Sequence, residues 1–209
     1  KDWNKFTDVL SIAINAAKNE DKLVTIGITP TFPATGYGYI KFTDKELGEA
    51  KLVEEFKEKP DLETAKEYVN SGNYVWNSGM FIWKASTIIK HFKELLPDIY
   101  NDLMTIADAM GTNEEYEVIE KVYPNIRKIS IDYGIMEKSN DVLVVSGEFG
   151  WNDVGSWDMM NVLHDEDSNG NISVGDVLNI DTNNTIAYSN GKLIATVGVD
   201  NLIIVQTDD

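Results

Sequence analysis

The feature that most constrains this fold is a change of texture at Asp165. Before it, stretches with apolar residues three or four apart alternate with short, continuously apolar runs, the pattern of helices and buried strands taken in turn. Trp3, Phe6, Leu10, Ala13 and Ala17 mark one face of a helix reaching residue 19. Residues 22–28 read as a buried strand and 29–38, with two prolines and two glycines, as a loop. Strands are expected at 39–42, 52–57 and 74–83, the last interrupted at Asn77-Ser78-Gly79, with a short helix marked by Leu62, Ala65 and Val69. Ile88, Phe92 and Leu95 define a further helix, and Ile99, Leu103, Ile106 and Met110 the next; Pro97 separates them and Asp98 is placed as N-cap of the second. Residues 114–122 are expected to be helical, 132–138 a helical turn, 142–149 a strand, and a last helix is expected to end near His164.

After Asp165, short apolar runs are separated by turn signals at 167–170, Asn183-Asn184 and Asn190-Gly191, an all-β pattern with tight connections. The expectation is an α/β domain over residues 1–165, whose open loops lie at strand ends, and a β appendage over 166–209.

Charge bears on partners. Acidic residues number 35 against 18 basic ones, a net charge of −17, and Arg127 is the one arginine. That balance disfavours nucleic acid and anionic membrane as partners. It also leaves little to hold a triphosphate, so such a site is either small or partly elsewhere. The chain has no cysteine, hence no disulfides and no thiolate metal site. His91 and His164 stand far apart in sequence and give zinc little support. Apolar runs such as 202–205 are too short to span a bilayer, and no signal peptide is visible.

Four segments put polar groups and glycines where a plain core would not: Thr35-Gly36-Tyr37-Gly38-Tyr39-Ile40, Phe56-Lys57-Glu58-Lys59-Pro60, Trp76-Asn77-Ser78-Gly79-Met80-Phe81 and Gly150-Trp151-Asn152-Asp153-Val154-Gly155-Ser156-Trp157. Singly, each is more simply a turn, a strand end or a bulge. In this order and spacing they resemble the sugar-phosphate half of the sugar nucleotidyltransferases. The variants here are similar to the mannose-1-phosphate guanylyltransferases of the bacterial GTP-using type. Ile28-Thr29-Pro30-Thr31, Ser130-Ile131-Asp132-Tyr133 and Met136-Glu137-Lys138 add to the likeness, and residues 178–205 resemble the strands that start the family's left-handed β-helix. Phe32 and Ala34 depart from it where Arg and Glu are commoner, as does Gly134 where Ala is common.

The resemblance implies a partial Rossmann-like nucleotidyltransferase sheet with flanking helices, followed by the start of a β-helix. It places the family's glycine-rich phosphate loop and first metal-binding aspartate before Lys1, so this chain alone is expected to be inactive, and the lost strands to leave an unpaired sheet edge and self-association. The implied reaction transfers GMP from GTP to mannose 1-phosphate, giving GDP-mannose and pyrophosphate, in a cytoplasmic homo-oligomer. Such chemistry needs two anions held in line and their charge neutralised, usually by Mg²⁺.

The implied roles fall on particular residues. Asp153 binds the metal, with Asn152 beside it; Lys59 neutralises the sugar phosphate; Glu58 accepts from sugar hydroxyls. Asn77 offers a donor and an acceptor to the same ring, with Ser78 and Gly79 alongside, and the Gly36, Tyr37 and Gly38 backbone lines the hexose. Asp132 either contacts substrate or caps the turn that follows it. Trp151 and Trp157 are read as packing. All four segments are expected to face one cleft at strand ends. Two other readings stand beside this one: a sugar-1-phosphate nucleotidyltransferase for another base or hexose, and a non-catalytic sugar-phosphate-binding regulatory homologue. Asp165-Glu166-Asp167-Ser168-Asn169-Gly170, with Asp176 at the twelfth position, fits a calcium-loop pattern, but 172–180 reads as strand where a helix is needed, and turn chemistry is the favoured reading.

Overall fold

A computed structural model describes residues 2–208. By contacts the chain divides into two compact units, Lys1–Trp151 and Asn152–Asp209. The break lies ahead of the textural change at Asp165. The stretch from the break to Asp165 contains a 3-10 turn, Trp157–Val162, whose Trp157 ring lies 5.2 Å from that of Tyr188 within the second unit.

The first unit opens with helix α1, Trp3–Glu20. Asp2 caps it, accepting from the Lys5 amide at 3.1 Å, and its apolar stripe buries Ala13, Ala16 and Ala17. Five strands follow: β1 Leu23–Ile28, β2 Tyr39–Leu47, β3 Ala50–Lys57, β4 Tyr74–Ile82 and β5 Val142–Gly147. Their order is β1-β4-β2-β3-β5, closed into a barrel. Of these pairs only β1 and β5 run parallel; closure comes from the antiparallel pairs Lys51↔Val144 and Leu52↔Leu143. The expected open edge is therefore absent among the described strands of this unit, because β3 and β5 pair with each other. β2 and β3 also extend further than the sequence pattern showed. They run on to a turn at Gly48, through residues 43–47 that carry charge and so give no apolar period.

Helices α2 Leu62–Ser71, α3 Ala85–Leu95, α4 Pro97–Ala109 and α5 Glu115–Val122 complete the unit. Pro97 opens α4 at its first position, where a missing N–H costs nothing. Asp98 is not the cap expected of it; its carboxylate takes both a guanidinium Nε and an Nη of Arg127, at 2.7 and 3.0 Å. Alternate strand residues feed two cores. Val24, Ile26, Leu143 and Val145 join the alanines of α1, while Leu23, Val142 and Val144 join Leu96, Ile99, Ile135 and Met136. Both faces of β1 and β5 are thus buried, which is why their sequences are continuously apolar.

The second unit is a parallel coil. Strands β6 Ile172–Val174, β8 Ile186–Tyr188 and β10 Ile203–Val205 stack on one side, and β7 Val177–Ile180 with β9 Ile194–Val197 on another; a parallel bridge, Asn183↔Asp200, links the third. Left-handed backbone recurs in register. Gly170, Asn184 and Asn201 each stand two residues before a stacked strand, with φ of 74°, 47° and 55°. Ile172, Ala187 and Ile194 are buried, and the Thr182 and Thr196 hydroxyls bond to each other at 2.9 Å. The acidic loop is the start of this coil, with the turn chemistry expected of it, and no second helix of the kind an EF-hand needs follows it. The Asp167 carboxylate accepts from the Asn169 and Asn171 amides and from the Asn171 side chain, which hold it below the ordinary carboxylate range, the Asn171 amide most of all. Strand β6 follows where a helix would be required.

Candidate active site

Three irregularities of the first unit converge. The first is in β4. Opposite β1, Gly27 pairs with Asn77 but Thr25 pairs with Phe81, so Ser78, Gly79 and Met80 bulge out against Ile26 alone. Gly79 takes φ +71°, and Ser78 fixes the bulge by donating to the Ile26 carbonyl at 2.5 Å. Asn77 sits at its mouth. Its side-chain oxygen accepts from the Gly79 amide at 3.0 Å, and its backbone N–H donates to the Gly38 carbonyl at 2.8 Å.

The second irregularity is the turn after β3. Lys59 adopts φ +44°, a left-handed conformation uncommon outside glycine and more so before a proline. Glu58 precedes it, partly buried, with its Oε1 against Gly38. A Cβ at Gly38 would lie 2.2 Å from that oxygen, so the glycine is what lets the carboxylate in. Lys59 itself is exposed, and among the described residues it forms no ion pair.

The third is a π-helical turn, Asp132–Met136. The capping reading of Asp132 does not hold: the turn starts from Ile131 without a side-chain cap, and the Asp132 carboxylate instead accepts from Asn77 Nδ2 at 3.0 Å. The same amide reaches Glu58 Oε1 at 3.5 Å. Asn77 therefore spends its donors on two carboxylates and an acceptor on the bulge, acting as the hub between strand, turn and loop. Gly134 lies within this turn; a methyl there would meet Leu96 Cδ1 at 2.9 Å.

Gly38, Glu58, Asn77 and Asp132 are thus brought together, while Ser78 and Gly79 build the bulge that aims Asn77. Gly36 is exposed in the same loop as Tyr37, whose ring packs edge-on to Trp76 at 5.1 Å and to Trp151 at 5.5 Å. Phe32 stands edge-on to Trp76 at 4.9 Å. Asn152 and Asp153 belong to the second unit. Their side chains accept from the amides two residues on, at 2.9 Å for Val154 and 2.8 Å for Gly155, and Val154 takes φ +42°, an outlier for a β-branched residue. Among the described residues no group of three or more His, Asp or Glu is arranged to hold a metal.

Sequence reading assigned no role to one group beside this set. Glu137 follows the π turn and is exposed at its surface; partial desolvation, then the charge of Glu58, raises its carboxyl above the ordinary range, Asp132 adds to this, and Lys57 and Lys138 oppose it. The five-residue spacing from Asp132 was the available signal, but it has meaning only in a π turn.

A family model described as "Nucleotidyl transferase" matches residues 4–169, and a second, described as "MannoseP isomerase/GMP-like beta-helix domain", matches 175–209. The chain belongs to the nucleotidyl transferase family. It is 41% identical over its whole length to the xanthan biosynthesis protein XanB of Xanthomonas campestris pv. campestris (strain B100), covering 44% of that protein. To the mannose-1-phosphate guanylyltransferase of Salmonella montevideo it is 44% identical over 90% of its own length and 41% of the other's. The solved structure of a protein named mannose-1-phosphate geranyltransferase, from Thermus thermophilus, superposes with a TM-score of 0.79 at 34% identity, over 99% of this chain and 59% of that one. The chain spans less than half the length of these curated relatives. None of its helices is long and apolar enough to cross a membrane among the described residues.

Proposed function

We propose that this chain is the sugar-phosphate-binding portion of an enzyme that transfers GMP from GTP to mannose 1-phosphate, releasing pyrophosphate and GDP-mannose. The observation that carries the reading is the junction of Glu58, Asn77 and Asp132 beside Gly38, built from three separate backbone irregularities. Strained backbone at a convergence of polar groups is where folds keep ligand sites. The name borne by the relative at 44% identity, mannose-1-phosphate guanylyltransferase, supports the choice of substrates.

In this reading Glu58 and Asp132 accept hydrogen bonds from hexose hydroxyls, and Asn77 holds the two carboxylates at their spacing. Lys59, in no ion pair among the described residues, stands on its left-handed turn and neutralises the sugar phosphate as a point charge. Asp153 supplies one carboxylate to Mg²⁺: its Oδ1 is taken by Gly155, leaving Oδ2 to bind. One carboxylate suits magnesium, which draws its other oxygens from phosphates and water. When bound, the ion offsets charge on the reacting phosphates. On this reading the protein works in the cytoplasm, as a homo-oligomer.

The deciding experiment is a pyrophosphate-release assay on the 209-residue chain with GTP, Mg²⁺ and mannose 1-phosphate, beside a full-length relative. The expected result is turnover by the relative and none by the chain, which has no glycine-rich phosphate loop; binding of mannose 1-phosphate by the chain is expected. Turnover near the relative's rate would show that a nucleotide site lies within these residues. A chain that binds no mannose 1-phosphate would remove the sugar-phosphate reading.

A further inference from the structure

The turn carrying Asp132 is π-helical, and that matters for what faces the site. It closes with the Glu137 N–H donating to the Asp132 carbonyl at 2.9 Å. On an α-helix, residues five apart point about 140° away from each other. A ring closed over five residues brings them back to one side. Asp132 and Glu137 therefore share a face, and Glu58, from the end of β3, lies within range of both. The charged groups around Glu137 are Glu58 and Lys57 from β3 and its following turn, and Asp132 and Lys138 from its own segment. Lys57 is itself engaged, ion-paired to Glu55 at 3.3 Å.

We infer that Glu137 is a specificity-determining residue of this site. With Glu58 and Asp132 it forms a wall of hydrogen-bond acceptors that takes a neutral, many-hydroxyl sugar phosphate and rejects one whose ring carries a carboxylate. The inference rests on the sugar-phosphate reading above and adds to it the class of sugar. The physical reason is one-sided demand. Carboxylates accept and do not donate. Asn77 offers two N–H groups to the pair Glu58 and Asp132, and the remaining acceptor capacity waits for hydroxyl donors. Partial desolvation, and then the like charges of Glu58 and Asp132, already raise Glu137 toward protonation, so a further carboxylate on the ligand meets three acidic groups, while Lys57 is engaged by Glu55 and Lys138 is the one basic neighbour of Glu137 in no ion pair among the described residues. The ligand's phosphate escapes this because Lys59, exposed on the left-handed turn that follows Glu58, offsets its charge.

The test compares two ligands that share a phosphate, mannose 1-phosphate and its C6-carboxylate counterpart, by calorimetry on the chain. The phosphate's own titration cancels in the ratio of their affinities. At pH 7.5 the native chain should prefer the neutral sugar by about tenfold or more, and Glu137→Gln should reduce that preference about three- to tenfold. A preference unchanged in Glu137→Gln, or none in the native chain, overturns the inference and leaves the sugar-phosphate reading standing. A native chain that binds neither ligand overturns both. A second measurement guards against a variant that fails to fold: in the native chain the preference should fall as pH is lowered through the range above the ordinary carboxylate value, as Glu137 takes up a proton. A flat ratio across that range overturns the inference, and a purely structural role for Glu137 would give one.

Discussion

The two units use irregular backbone in opposite ways. In the coil of the second unit, left-handed residues repeat in register, Gly170 over Asn184 over Asn201 and Asp181 over Gly198. Each rung needs the same corner, so the strain belongs to the architecture. In the first unit three irregularities meet at one place, the bulge at residues 78–80, the positive φ of Lys59 and the π turn at Asp132, apart from the left-handed Asp21 that ends α1 and the register shifts between β2 and β3. None closes a repeat, and all three lead to Asn77 and its carboxylates. Repetition separates a building rule from a site. By the same criterion the loop of Asn152 and Asp153, with its unrepeated Val154 outlier, stands out from the coil that follows it.

Substitutions can break this contrast. Where turnover is measurable, in a form of the protein with its nucleotide site complete, Asp153→Asn should cost about a hundredfold across a magnesium titration, since it removes a charge and keeps the shape. Near-normal activity at every magnesium concentration would remove Asp153 from the metal. Gly175→Ala should destabilise the coil by about 3 kcal/mol, because a Cβ there meets the Ser189 carbonyl at 2.3 Å and φ is +81°. Chemical denaturation should show that loss, and mannose 1-phosphate binding should not change.

Lys59 gives a sharper comparison. Lys59→Ala and Lys59→Gly should both raise the KM for mannose 1-phosphate about ten- to a hundredfold and spare that for GTP. The glycine variant should be about 1 kcal/mol more stable than the alanine one, because it relieves the left-handed backbone. A defect confined to GTP would reverse the assignment. Glu137→Gln should act on stability with a definite sign. The folded carboxyl titrates above its unfolded value, so its cost is absent below the ordinary carboxylate range, grows as pH rises through it, and is complete above the raised folded value. The variant should thus melt higher than the native chain at pH 7 and no higher at pH 4, by under about 1 kcal/mol given solvent screening. Asn184→Gly should be the smallest change, a few tenths of a kcal/mol with no effect on ligand, since Asn already tolerates the left-handed region.

Much of this was legible in the sequence where periodicity had a buried face to report. Phe6 and Leu10 announced α1 because one stripe packs on the sheet, though Trp3, read as part of that stripe, stands exposed at its start, and residues 23–28 announced β1 because both its faces are covered. The charged end of β2 went unread, since residues 43–47 bury no continuous face. Asn77-Ser78-Gly79 was legible both as a bulge and as a ligand segment, and it is the bulge that aims Asn77 at the carboxylates. Asp132 was ambiguous because an acid before a turn is usually a cap; only the placement of Asn77, 55 residues earlier, resolves it. Barrel closure was not readable at all, since it depends on which strand edges meet.

That closure also sets how the first unit must assemble. β1 is held to β5 by parallel pairing, and Lys22 bonds to Asp141 from 119 positions away along the chain. β2 and β3, by contrast, meet across a turn at Gly48. Contacts this distant form after local ones, because the loop entropy must be met before the pairing returns anything. The hairpin should appear early, and β1 should wait with its apolar faces uncovered until the last strand of the barrel is synthesised. During that interval β1 is the segment a chaperone would meet and the one through which newly made chains would stick to each other.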